Sequence, residues 1–518
     1  MGELWYGGTI YTMRAEHETV EAIYVEKGII VDVGTKERLC AVNNVDTFYH
    51  IRGNTMFPGF VDSHIHLIGH GERILRLDLT ECTSYGEMLS LVQKRVNETP
   101  DGDWIIGEGW NENEFYDTKT VHVHDLDAIS GKHPILLKRV CRHAMLVNSV
   151  VLKKAGITRE TKDPKGGRIV KDVHGLTGVL HDHAQQYVYD ILPKPSKQYV
   201  RKVLGLAIKD CYEKGLVGCH TEDLHYYDGF ANTYEAYQHC IRQTPFKVNL
   251  LVHYAEMEHL PLYHDDHYIE FGAIKIFADG SLGGRTALLS EPYSDMLTTQ
   301  GIAVVERAEL ANLVQKARQM RRPVAVHAIG DLAFENVLDV IEAYPPQPGQ
   351  RDRIIHCQVL RNDLIKRAKY LSVVLDIQPI FVRSDFPSVK KKLGLRRLRY
   401  SYAWKTLLKE GLACAGGSDA PISDISPIAG MYAAISHADS CGICHQPQER
   451  LSPFEAISLY TTGSAKAIHK EHKRGMIGVG YEADFTIVDR DMMRISLHEI
   501  ENTKVMMTVI DGRIVFRN

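Results

Sequence analysis

No run of about 18 apolar residues occurs anywhere in the 518-residue chain, so no membrane-spanning helix is expected. The first residues, Met1-Gly2-Glu3-Leu4-Trp5-Tyr6, lack a basic segment followed by a long apolar one, so no secretory signal is expected either. The ten cysteines are scattered without the spacing of a disulfide scaffold. Cys219, Cys357 and Cys414 sit inside apolar runs, where a thiol acts as a small buried hydrophobe, and a reducing cytoplasm fits that usage. A formal net charge of -4 gives no reason to expect nucleic acid or an anionic membrane as partner. Internal repeats and low-complexity tracts are absent.

What is there is ordinary globular composition, 44% hydrophobic and 24% charged, over a length too great for one small core. Both ends read as short strands. Ile23–Glu26 and Ile29–Val33 flank Lys27-Gly28, a tight hairpin signal, and the 505–510 and 513–516 stretches flank Asp511-Gly512 in the same way. Asp484–Val488 is a further strand. Neither end has enough strands for a core of its own, so residues 1–56 and 475–518 are expected to join in one small β-sandwich.

Between them, short buried runs alternate with helical patterns. The runs are Gly59–His66, Leu216–His220, Lys247–Tyr254, Gly272–Ala278, Pro323–His327, Arg353–Cys357, Ser372–Gln378 and Leu412–Gly417. Apolar residues at helical spacing fill 198–214 and 307–320. Eight such runs argue for a (β/α)8 TIM barrel over 57–69 and 197–474. Segment 70–196 is too long for a plain strand-to-helix loop. It is expected to be an insertion after the first barrel strand, capping the active-site face.

Chemistry-bearing residues recur where barrel strands end, which is where such barrels place their active sites. His64 and His66 are two apart, so on a strand they face the same way, a geometry for gripping a divalent metal. Lys275 lies inside an apolar run. Burial disfavours its charged form, and a neutral amine reacts with carbon dioxide to give an anionic carbamate with two oxygens. His327 and His356 end the fifth and sixth runs, and Asp419 follows the eighth.

That order resembles the amidohydrolase superfamily of metal-dependent hydrolases. The stretches FPGFVDSHIHL, GEGWNEN, HAMLVNSVVLKKAGI, IKIFADGSLGGRTALL, AVHAIGD, RIIHCQ, GGSDAPI and GVGYEADFTIVD are similar to one branch, the third amidohydrolase family, which includes N-substituted formamide deformylases. The resemblance implies a two-metal site. His64 and His66 would bind the first ion with Asp419, His327 and His356 the second, and carboxylated Lys275 would bridge them. Two zinc ions fit imidazole and carboxylate ligands, with iron, manganese or nickel also compatible.

In such a site Asp419 is the catalytic residue, shuttling a proton from the attacking water to the departing amine. The expected activity is hydrolysis of a non-peptide C–N bond in a small-molecule amide, N-acyl or N-formyl. The same ligands also serve cyclic amides and deamination of ring amines. The rival of another class is a non-catalytic ligand-binding regulator, against which stands the presence of every ligand residue. Trp110, His143 and Arg285 lie in matching stretches and are candidate substrate contacts. Cys141-Arg142 departs from the family's usual text before His143, which bears on the substrate. A homo-oligomer is compatible with all of this.

Two further signals carry less. Cys441-Gly442-Ile443-Cys444-His445 spells a haem-attachment pattern, and with His437 it offers four residues to an additional zinc. Lys390 to Arg399 is a short basic run, read as a solvated helix face.

Overall fold

The computed structural model describes residues 2–111, 115–117, 121–139 and 144–518. These divide into two compact units, Met1–Gly69 with Val200–Asn518, and His70–Tyr199.

The larger unit contains the barrel. Its eight strands are Phe60–Ile65, Leu216–Thr221, Lys247–His253, Ile269–Phe277, Val324–Ala328, Asp352–His356, Val373–Ile377 and Ala413–Gly416. They are hydrogen-bonded in sequence order, every pairing parallel. Each matches one expected run to within a few residues. Strands buried on both faces read as continuous apolar text, as in Val324-Ala325-Val326, which is why they were legible without alternation. The helices between them bury the stripe their spacing marks. Lys197–Glu213 buries Val200, Val203, Leu204, Ala207, Ile208 and Cys211, and Arg307–Gln319 buries Leu310, Leu313, Val314 and Ala317.

The ring is drawn together between the first strand and the residues just past the last by polar contacts. Asp419 N–H donates to His64 O at 2.8 Å, and His66 N–H donates to Ala420 O at 2.9 Å. The buried Asp62 carboxylate accepts from the N–H groups of His64 and Ser418 at 2.9 and 3.0 Å. Gly417 makes this approach possible, since a Cβ there would stand 2.6 Å from His64 N.

The strands of both chain ends form one eight-stranded sheet. Its order runs Arg513–Arg517, Val505–Ile510, Phe485–Val488, Thr55–Pro58, Gly2–Tyr11, Thr19–Glu26, Ile29–Gly34, with Thr47–His50 also pairing to Gly2–Tyr11. Lys27 and Gly28, and again Asp511 and Gly512, all have positive φ, the turn that joins strands with native twist. Trp5, Ile10, Ile23, Met56, Phe485, Ile487 and Val509 share one core.

This sheet is tied to the third barrel strand through Lys247. Its Nζ lies 2.6 Å from Glu482, 2.6 Å from Asp484 and 2.8 Å from Asp511, all buried or nearly so. Burial alone would lower the Lys247 pKa, but the three carboxylates raise it.

The smaller unit is built on a six-stranded sheet ordered Gly167–Asp172, Gly175–Asp182, Ala144–Val147, Ile135–Arg139, Ile105–Trp110, Leu77–Asp78. Helix Tyr85–Glu98 packs Tyr85, Met88 and Val92 into its core. Among the described residues, no helix is long and apolar enough to cross a membrane.

Candidate metal centre

His64 lies on the first barrel strand, with His66 one residue past its end, and the two ring centroids stand 5.5 Å apart. Asp419, brought beside them by the ring-closing bonds, places Oδ1 3.5 Å from the Nε2 of each. One ligand atom from each of these three residues lies within 4.8 Å of the others, the sole such group among the described residues. Lys275 Nζ is 3.1 Å from His64 Nε2 and 4.6 Å above the Phe277 ring. His356 stands 5.6 Å from His64 and 4.4 Å from His327, ring to ring. The six side chains singled out in the sequence therefore gather at one end of the barrel. His356 and Asp419 both have positive φ, a backbone cost held in place by the surrounding ring.

Three of the four imidazoles have one nitrogen engaged outside the cluster. His66 Nδ1 bonds Glu222 O at 2.9 Å, His356 Nδ1 bonds Gln378 Oε1 at 2.7 Å, and His327 Nε2 bonds Gly280 O at 3.0 Å. Such partners select the tautomer that leaves the other nitrogen as a metal ligand. His64 Nδ1 has no hydrogen-bond partner. Asp279, beyond the fourth strand, accepts from the N–H groups of Leu288, Ile329 and Gly330 at 2.8–3.0 Å, and its Oδ1 lies 3.4 Å from His327 Nε2. It is thus a scaffold for the His327 loop.

The electrostatics favour neutral imidazoles at His64, His327 and His356, a protonated one at His66, and a reactive amine. Burial, then the nearby cationic groups, holds His64 and His327 well below the usual histidine value. His356 is lowered to about 4, burial outweighing the pull of Asp419. Burial also opposes the charged form of His66, but its bond to Asp419 and the Asp419 and Glu222 charges raise it to about 9. Lys275, fully buried, is lowered to about 8 by desolvation, against the opposing pull of Glu222 and Asp419. Burial would raise the Asp419 carboxyl, yet its bond to His66 and the charges of His356, His66 and Lys275 hold it below the ordinary carboxylate range. Three neutral imidazoles, a fourth whose proton a metal ion would displace, an ionised carboxylate and an amine that deprotonates readily make a donor set fitted to divalent metal.

The other candidates lie differently. Trp110 is 2% exposed in the core of the smaller unit, its indole N–H donated to Leu137 O. Arg285 spends its planar fork on Asp295, at 3.1 and 2.7 Å. His143 lies outside the described residues. His437 is buried and bonded to Tyr402 O, while His445 pairs with Asp439 at 2.7 Å, so with Cys441 and Cys444 they form no metal group among the described residues. The basic run is a helix, Ser388–Leu398, broken at Gly394; Arg396 pairs with Glu291, and Arg397 bonds the Pro292 carbonyl.

Sequence reasoning gave no site role to Asp62, Glu222, Asp279 or Gln378. Asp62 lies on the strand of His64, and Asp279 and Gln378 lie past strands that neighbour those of His327 and His356. A carboxylate placed directly after an apolar run was the available signal for Asp279.

Residues 51–516 match a family model described as "Amidohydrolase family". The chain is 48% identical over 526 residues to a Bacillus subtilis (strain 168) protein named "Putative amidohydrolase YtcJ", covering 100% of this chain and 99% of that one. It is 23% identical over 532 residues to the N-substituted formamide deformylase of Arthrobacter pascens, covering 97% and 96%. Among solved structures, an uncharacterised metal-dependent hydrolase from Pyrococcus horikoshii OT3 superposes with a TM-score of 0.81 at 25% identity, over 96% of this chain and 99% of that one.

Proposed function

The chain belongs to the amidohydrolase family, and on that premise we propose that it is a metal-dependent hydrolase of a non-peptide C–N bond, an N-acyl or N-formyl amide of a small molecule. The observation that carries this reading is the gathering of His64, His66, Lys275, His327, His356 and Asp419 around one point. The likeness to a formamide deformylase supports the choice of bond.

In this reading His64, His66 and Asp419 would hold one divalent ion, His327 and His356 would hold a second, and Lys275 would serve both as its carbamate. Zinc suits the imidazole and carboxylate donors. Bound divalent ions supply Lewis acidity, which makes a water acidic near neutral pH and polarises a carbonyl. The remaining work falls to this chain's own groups. Asp419 is ionised and 3.5 Å from both His64 and His66. It accepts the proton of the attacking water and returns it to the departing nitrogen. Gln378, Gly280 and the Glu222 carbonyl each hold one ring nitrogen of His356, His327 and His66, which leaves the other nitrogen for a metal ion. The described cysteines are all free thiols, which suits a reducing cytoplasm.

The test is native mass spectrometry with elemental analysis, followed by a panel of N-formyl and N-acyl amides, hydantoins and aminopurines. Two ions per chain, the mass of one carbon dioxide on Lys275 and amide turnover are the expected results. Metal-loaded protein that turns over aminopurines alone would move the assignment to deamination. Loaded protein inert on the whole panel would remove the hydrolase reading.

A further inference from the structure

Away from the metal centre, at the end of the barrel where the strands begin, lies a small polar cavity. Val61 and Lys247 line it from the strands, Ser464 from the helix Ser464–Ala467, and Arg474 from the chain that leads into the terminal sheet. His220 and Asn249 complete the lining. They are direct partners across the second and third barrel strands, so their side chains share one face. His220 is 1% exposed and Asn249 is 7% exposed.

Neither ring nitrogen of His220 completes a hydrogen bond with a described residue, and neither does Asn249 Oδ1. The Ser63 carbonyl is close enough to favour a charged His220 ring, but the Arg353 guanidinium already donates to it. Burial dominates and holds the ring neutral, well below the usual histidine value. A neutral imidazole offers one donor and one acceptor, and an amide oxygen only accepts. Buried groups of this kind are bonded in native proteins, and an ordered water makes the bond where no neighbour does.

The charges around the cavity are already matched. Lys247 Nζ meets Glu482 and Asp484 at 2.6 Å and Asp511 at 2.8 Å. Arg474 meets Glu482 at 2.7 Å and Glu270 at 3.2 Å. An anion would face Glu482 and Asp484, a cation would face Lys247 and Arg474, and neither would find an uncompensated opposite charge. The enclosed space measures about 30 Å³. At about 10–15 Å³ for each water, that is room for about two waters and too little for an organic molecule.

We propose that this cavity is a bound-water site, in which about two ordered waters join His220 to Asn249 at the floor of the barrel. The waters serve the strands that carry the metal site and take no part in its chemistry, so they are independent of the hydrolase reading.

The test is a crystal structure of the full-length protein as purified, at a resolution that shows ordered water, with thermal unfolding of wild type and His220→Leu alongside. The expected result is water density within about 3.2 Å of a His220 ring nitrogen and of Asn249 Oδ1. A direct hydrogen bond between the two side chains, an empty cavity, or density for an ion or an organic molecule overturns the site. Leucine is close to the imidazole in size and cannot bond water. In a hydrated cavity His220→Leu therefore strands Asn249 and lowers Tm by about 2 °C or more. In a dry cavity the same change removes both unpaired nitrogens, and a Tm equal to or above that of wild type overturns the site. Should the variant fail to fold, the wild-type density decides.

Discussion

The backbone N–H of Asp419 donates to the carbonyl of His64 at 2.8 Å. Two residues 355 positions apart in sequence are thereby locked at one point, and Oδ1 of the aspartate stands 3.5 Å from His64 Nε2. The carboxylate of Asp419 and the imidazole of His64 are thereby held in fixed relation, which is the geometry that the acid–base role proposed for Asp419 requires.

Replacing Asp419 with Asn keeps the backbone bond and removes the proton acceptor. Turnover is expected to fall by about 10²-fold or more while the fold persists and much of the metal stays. Steady-state rates read against elemental analysis check this, and activity within a few-fold of wild type would refute the role.

Lys275 is buried with its pKa lowered to about 8, and its recorded hydrogen bond is to His64. Lys275→Ala should lose the bridging group, with metal content falling and activity collapsing. A short carboxylic acid such as propionate, small enough to fill the gap, is expected to restore part of both. Full metal occupancy in the untreated variant would show that no carbamate bridge is needed.

Gln378 holds His356 Nδ1 at 2.7 Å. Gln378→Ala frees the ring to rotate and to change tautomer, and metal affinity should drop by about 10–100-fold. Competition with a chelator of known affinity measures the loss.

Gly417→Ala places a methyl 2.6 Å from His64 N and 2.9 Å from Asp62 Oδ1, both in packed surroundings. The ends of the first and eighth strands must part, at a cost of about 1–3 kcal/mol. A lowered Tm with reduced metal uptake is the expected pair of observations, and a Tm equal to wild type would mean that the ring closes with room to spare.

Glu482 is buried against Lys247 and Arg474. Burial alone would raise its carboxyl, but those two charges dominate and lower it from 4.5 to about 2. A folded-state pKa below the unfolded one gives stability that is present above about pH 4.5 and is lost as pH falls toward 2. The contribution is on the order of 3 kcal/mol. Denaturant melts across pH 6 to 3 should show a steeper loss in wild type than in Glu482→Gln, which starts less stable. Parallel pH profiles would refute the linkage.

The barrel was legible because its strands are buried on both faces. Runs such as Ala273-Ile274-Lys275-Ile276 and Val324-Ala325-Val326 have to be apolar throughout, and the helices between them keep a stripe of period 3.6. The six gathered side chains were legible for a related reason. A histidine, lysine or aspartate at the end of such a run stands out against apolar text. Arg285 and Trp110 show the limit of that signal. Both stand in motif-like stretches, yet the nearest partner of Arg285 is Asp295 and Trp110 packs into the core of its own unit. Sequence neighbourhood does not say which way a side chain faces.

From the sequence by itself came the order of strands, their number and the residue types that end them, because burial dictates apolar text locally. Only the tertiary structure decided which partners those end residues acquire. Asp62 bonds across to Ser418, Lys247 collects three carboxylates from the far end of the chain, and Glu222 comes within 3.8 Å of His66. Such pairings join residues hundreds of positions apart, and a hydrogen bond, unlike burial, leaves no periodic trace along the chain.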